Sequence, residues 1–218
     1  MASSGTGIMK NKDYLLMAVT DRACLRYNIS LRNAVELAIK GGASMIMLRD
    51  ANIGYDAMMR EAVRLKILCG MYDIPFIVDG NADIAMAVDA DGVHIDSDED
   101  DVAETKKKIS SGKAVGVTVH DVTAAKSAEM KGATYLTCGS VGIPDFKSDE
   151  RCISKDELRI VTHAVNIPVV AYGGIADTDL NALKGTGISG IAAATGLFGQ
   201  DDIEKAAASL WKIAREII

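Results

Sequence analysis

The chain of 218 residues contains no run of about eighteen apolar residues, so no helix of the usual membrane-spanning kind is expected. Its cysteines are few and unpatterned. Cys24, Cys69, Cys138 and Cys152 show no C-x-x-C spacing, and Cys69 and Cys138 lie inside apolar runs, which reads as a reduced, cytoplasmic chain. There is no basic excess either. Twenty-four Lys and Arg against thirty Asp and Glu leave a net charge of −6, which argues against nucleic acid as a partner. The overall field therefore repels anions, and any anionic substrate must be held by a local cluster of donors. The opening Met-Ala-Ser-Ser-Gly-Thr-Gly lacks the apolar core of a signal region. Residues 1–12 are expected to be a disordered or added tail.

What the chain does have is a repeated unit. Short, continuously apolar runs occur at Tyr14–Val19, Ala43–Leu48, Pro75–Val78, Gly92–Ile95, Ala114–Val119, Tyr135–Cys138, Ile167–Tyr172 and Gly190–Ala194. Strands that are apolar throughout, rather than alternating, are buried on both faces, as in a parallel sheet. Helical stretches lie between and after them, at Leu31–Lys40, Tyr55–Cys69, Ala82–Val88, Val102–Ser110, Val122–Lys131, Lys155–Ala164, Asp177–Lys184 and Ile203–Ile217. Eight β/α units in this length fit a single (β/α)8 TIM barrel over residues 13–218 better than an open doubly wound sheet.

Barrels of this kind build their sites at the C-terminal ends of the strands, with phosphate commonly held by the loops after strands 7 and 8. Here those two strands run into Gly173-Gly174 and Thr195-Gly196. Glycines there leave backbone N–H groups open to a phosphate, unless they serve only tight turns. The other strand ends place Thr20-Asp21-Arg22, Arg49-Asp50, Asp79-Gly80, His94, Thr118-Val119-His120 and the loop residue Lys147 at the same rim. Arg49, closing a buried strand, is expected to meet an anion. His120 is either a proton shuttle or the cap of the helix starting near Asp121. His94 either faces the site or hydrogen-bonds in the core. Asp98 to Asp101 read as the acidic N-terminus of a helix carrying Lys106 to Lys108.

Several of these segments resemble thiamine phosphate synthase and the closely similar thiazole tautomerase. They are Val19-Thr20-Asp21-Arg22, Ala90-Asp91-Gly92-Val93-His94, Gly116-Val117-Thr118-Val119-His120, the run Ile167 to Ile175 and the run Gly190 to Phe198. The resemblance extends in order from about residue 14 to 215. It implies an enzyme of thiamine biosynthesis that joins an aminopyrimidine diphosphate to a thiazole phosphate and releases pyrophosphate. Cations and Mg²⁺ would stabilise the departing charge. Arg49 then matches the pyrophosphate-binding arginine and Thr118 the usual serine. Lys147 matches the lysine of the strand-6 loop, and Gly173, Gly174, Thr195 and Gly196 form the thiazole phosphate cup. Arg49, His120 and Lys147 are the catalytic candidates, with Asp79 and His94 among the substrate-binding ones.

The same resemblance exposes departures. The family's Gln-Leu-Arg-Glu-Lys reads Met47-Leu48-Arg49-Asp50-Ala51, without the lysine. Its Asn-Asp reads Asp79-Gly80, leaving Asp79 and Glu99 as the carboxylates for Mg²⁺. Its Thr-Pro-Thr-Lys reads Pro144-Asp145-Phe146-Lys147. Each lost charged contact is worth about 1.5–3 kcal/mol. Three readings follow: a synthase, weakened or not, a metal-independent tautomerase using His120, or a non-catalytic phosphate-binding barrel. The partners are small phosphorylated heterocycles and, given apolar outer helix faces, possible second copies in a homodimer.

Overall fold

The structure is a computed structural model describing residues 9–25, 28–50, 52–96, 101–141, 153–173 and 183–218. Eight parallel strands close into a barrel in chain order: β1 (Leu16–Val19), β2 (Met45–Leu48), β3 (Phe76–Asp79), β4 (Gly92–Asp96), β5 (Ala114–Val119), β6 (Tyr135–Gly139), β7 (Val169–Tyr172) and β8 (Gly190–Ala193), with β8 pairing β1. Around them stand α1 (Leu31–Lys40), α2 (Tyr55–Met71), α3 (Ala82–Ala87), α4 (Val102–Lys108), α5 (Val122–Met130), α6 (Lys155–Ala164), the short α7 (Thr195–Phe198) and α8 (Ile203–Ile217).

Successive strand residues alternate between two cores, which is why these runs are apolar throughout. Leu16, Ala18, Ile46, Leu48, Val93, Ile95, Val115 and Val117 face the helices. Met17, Val19, Met45, Met47, Ile77, Tyr135 and Val170 fill the lumen. Chain turns into the helices are fixed by capping side chains at their N-termini. Ser30, Asn81, Asp101, Asp121, Ser154 and Asp202 each accept a backbone N–H from the first turn that follows.

Three details differ from the expectation. Tyr14 belongs to a 3-10 turn, Asn11–Tyr14, because its buried ring plugs the lumen from below rather than pairing as strand. Met9, within the span expected as tail, packs against the lumen residues. Ala43 and Ile167 precede their strands: apolarity marks burial there, while pairing starts at Met45 and Val169. The helix expected over Asp177–Lys184 lies outside the described residues except for its last two.

Candidate active site

The C-terminal mouth of the barrel collects polar groups by two different devices. At the β1–β2 corner, buried Thr20 grips the backbone of Arg49. Its Oγ1 donates to the Arg49 carbonyl at 2.9 Å and accepts the Arg49 N–H at 3.0 Å. The Arg49 side chain is exposed and forms no salt bridge among the described residues. Beside it, Arg22 is engaged: its Nε lies 2.8 Å from Asp50 Oδ2, and Nη2 lies 3.9 Å from Glu61. Of the two rim arginines, Arg49 is the one free to meet an anion.

At the β4–β6 corner, side chains are tied to one another. Pairing sets His94 opposite Gly116, Gly116 opposite Tyr135, and Thr118 opposite Thr137. His94 Nδ1 is 3.1 Å from the Tyr135 hydroxyl and Nε2 is 2.9 Å from Thr118 Oγ1. Thr137 Oγ1 lies 3.1 Å from Thr118 Oγ1 and 3.3 Å from His94 Nε2. Gly116 makes room for this arrangement, since a Cβ there would stand 2.1 Å from Tyr135 Cζ and 2.4 Å from His94 Nδ1. His94 is thus a buried lumen residue, 4% exposed and hydrogen-bonded within the core, the second of the two placements read for it. It reaches the mouth only through Thr118, which is half-buried. Burial, and then the positive charge of Arg49, pull the His94 pKa down to about 3, so the imidazole is neutral. Burial, followed by the charges of Tyr14 and Asp79, pushes the Tyr135 phenol well above its ordinary range.

His120 follows β5, with Nδ1 3.0 Å from the Gly139 carbonyl. A carbonyl only accepts, so Nδ1 carries a proton, and in the neutral tautomer the lone pair is at Nε2. Capping of α5 falls to Asp121, which accepts from Ala124 N–H at 2.8 Å, and the alternative of His120 as the cap is set aside. Asp101 caps α4 in the same way, as the acidic run suggested. Asp79 ends β3, half-buried, and the Gly80 N–H donates to the His94 carbonyl at 2.8 Å.

On the opposite side Thr195 and Gly196 open α7, and their N–H groups have no intrahelical acceptor. The Cys24 thiol, bonded to Asp21 Oδ2 at 3.0 Å, also lies 3.5 Å from Thr195 Oγ1, linking the β1 loop to this segment. Gly173 has φ +88°, and a Cβ on it would stand 2.3 Å from Ser140 Oγ, so glycine is required there by backbone conformation and close approach alike. Lys147, Gly174 and Glu99 lie outside the described residues, as does Ala51.

Among the described residues no three His, Cys, Asp or Glu side chains come together to hold a metal ion. Asp79 and Asp96, ending adjacent strands, do supply oxygen donors of the kind Mg²⁺ takes. That cation is commonly held by one or two carboxylates and completed by substrate phosphates and water. The donor chemistry therefore fits a substrate-completed Mg²⁺ and not an all-protein cage.

Sequence reading did not single out Tyr135, Thr137 or the Cys24–Thr195 contact. Strand parity carried a signal for the first two: His94, Thr118, Tyr135 and Thr137 all interrupt apolar strands at lumen-facing positions. A groove of about 770 Å³ lies beside the mouth, lined by Arg22, Ser30, Arg32, Glu61 and Arg64, and it includes none of the phosphate-cup residues.

This combination of a closed parallel barrel and a polar C-terminal mouth defines a (β/α)8 barrel with a candidate phosphate-handling rim. The model of the thiamine monophosphate synthase family matches residues 16–197, and the chain belongs to that family. It is 35% identical to the thiamine-phosphate synthase of Clostridium acetobutylicum over 95% of this chain and 98% of that one. It is 38% identical to the enzyme of the same name from Pyrococcus furiosus, over 93% and 96%. The solved structure of a thiamine phosphate pyrophosphorylase from Pyrococcus furiosus superimposes with a TM-score of 0.86 at 35% identity, covering 95% of this chain and 98% of that one.

Proposed function

We propose that this chain is a thiamine-phosphate synthase. It would be a transferase that joins an aminopyrimidine diphosphate to a thiazole phosphate and releases pyrophosphate. The observation that carries this reading is the family match along the whole barrel, from β1 to α7. In the reaction the bond from the pyrimidine methylene to the diphosphate oxygen breaks, pyrophosphate leaves with the electron pair, and the thiazole nitrogen closes on the cationic carbon. Arg49, anchored through its backbone and free at its guanidinium, receives the charge that develops on the leaving group. The Thr118 hydroxyl donates beside it. The N–H groups of Thr195 and Gly196, with Gly173 and Gly174, receive the thiazole phosphate. Asp79 and Asp96, with the diphosphate, would hold Mg²⁺, which would add charge neutralisation, and the family resemblance adds Glu99 as a further carboxylate and Lys147 as a further cation.

The Nδ1 hydrogen bond of His120, which leaves Nε2 of the neutral ring as its basic nitrogen, favours a second reading, a tautomerase in which His120 moves a proton on the thiazole ring. Assaying the full chain with both synthase substrates separates the two. Thiamine phosphate should form in Mg²⁺ and cease in EDTA if it is a synthase. A tautomerase should survive EDTA and be abolished by His120→Ala.

The setting we infer is cytoplasmic. The thiols of Cys69 and Cys138 are buried and free, as in a reducing compartment. A homodimer is consistent with Val63, Ile67 and Met71, which stand exposed along α2.

A further inference from the structure

We propose that Tyr135, His94 and Thr137 form a directional hydrogen-bond relay that makes the Thr118 hydroxyl an obligate donor into the mouth of the barrel. The inference rests on the synthase reading above, in which an anionic oxygen sits at that mouth.

The direction follows from counting protons and lone pairs. Tyr135 is fully buried, and His94 Nδ1 is its one hydrogen-bond partner among the described residues. A buried O–H without an acceptor costs more than an unused lone pair, so the phenol donates and Nδ1 must be unprotonated. The neutral ring then carries its proton on Nε2, which donates to Thr118 Oγ1 at 2.9 Å. Thr137, only 4% exposed, cannot donate to the protonated Nε2 and so gives its own proton to Thr118 Oγ1 at 3.1 Å. Both lone pairs of Thr118 Oγ1 are then filled from within. Its remaining O–H has no acceptor among the described residues, and Thr118 is the partly exposed member of the set. A hydroxyl that ordinarily donates or accepts is thereby committed to donating, which suits a phosphate oxygen and repels a competing donor. Gly116 is part of the device, because the Tyr135–His94 bond occupies the space that a side chain at 116 would fill.

His94 and Tyr135 are on this account positioning residues, and the test reads the tautomer as well as the function. Imidazole ¹⁵N NMR of the full chain should show His94 protonated at Nε2 and unprotonated at Nδ1. Tyr135→Phe keeps the ring, removes the donor to Nδ1, and should shift the tautomer. Calorimetry with inorganic pyrophosphate in Mg²⁺ should show about tenfold weaker binding for Tyr135→Phe and at least as large a loss for Thr118→Val. The double variant should bind no more weakly than Thr118→Val alone. A proton on Nδ1 in the parent would overturn the relay whatever the binding data. So would Tyr135→Phe binding pyrophosphate like the parent while Thr118→Val loses it. A parent with the expected tautomer that ignores pyrophosphate would put the fault in the functional reading and remove the relay's role with it.

Discussion

At the β1–β2 corner of the mouth it is the backbone that is fixed, with Thr20 gripping both polar atoms of the Arg49 peptide and the guanidinium left to reach. At the β4–β6 corner it is a single proton that is fixed, through side chains tied from Tyr135 to Thr118. The difference matches the donors. A guanidinium always donates and carries its charge whatever its surroundings, so only its point of attachment needs holding. A hydroxyl can turn, and its direction must be set by what fills its lone pairs. The two corners teach that anchoring a donor means different things for a charged and a neutral group.

The largest break in that comparison is at Arg49. Arg49→Ala should lower kcat/KM about 10- to 100-fold, the value of one hydrogen bond to a charged group, with the melting temperature hardly moved because the side chain is exposed. Thr20→Val should lower both, since it frees the Arg49 backbone and leaves its N–H without the Thr20 acceptor, a loss of about 1–3 kcal/mol in stability. Equal stability losses in the two variants would mean that Arg49 is structural and that the clamp does not serve the site.

Acid should separate the corners next. His94 ionises near pH 3 in the folded chain and near 6.5 when unfolded. Below pH 6.5 the unfolded chain therefore binds a proton that the folded one refuses. The neutral ring's contribution is fully present above that pH and is lost progressively as the pH falls toward 3. Between pH 6.5 and 5, above the range in which carboxylates titrate, the denaturant midpoint of the parent should fall while that of His94→Gln stays flatter. The Thr20 clamp is built from a hydroxyl and a peptide and adds nothing in this window. A parent midpoint that is level from pH 7 to 5 would contradict a neutral, buried His94.

These contrasts also mark how far the residues could be read unaided. The barrel was legible because strands buried on both faces must be apolar throughout, and because helical stretches alternate with them at a regular rhythm. The rim was legible for the same reason, as polar residues abruptly end those runs at Thr20, Arg49 and Asp79. Membership of the relay was not. His94 sits two residues inside its strand, and its role depends on register: Gly116 and Tyr135 become its neighbours only once β4, β5 and β6 are paired. The difference between Arg22 and Arg49 was equally hidden, because which of them is neutralised depends on where Asp50 and Glu61 come to rest.

That pair of arginines supplies the smallest and sharpest test. Arg22 and Arg49 stand on neighbouring strand ends of the same rim, carry the same charge and are both partly or wholly exposed. If rim charge alone attracted the anion, losing either should slow the reaction similarly. In the structure Arg22 is bound to Asp50 at 2.8 Å, its side chain 43% exposed, and its charge is already met by that carboxylate and by Glu61. Arg22→Gln keeps an amide donor for Asp50 and removes only the charge. The Asp50 side chain is only 5% exposed, so its carboxylate loses a charged partner while keeping an amide donor, and stability should fall by about 1–3 kcal/mol. Turnover should stay within about twofold of the parent, against the 10- to 100-fold loss expected for Arg49→Ala. Measured side by side at saturating and limiting diphosphate substrate, the two variants should differ mainly in kcat/KM. A loss for Arg22→Gln as deep as for Arg49→Ala would mean that Arg22 leaves Asp50 when substrate arrives. The distinction between an engaged and a free arginine would then not survive into the working enzyme.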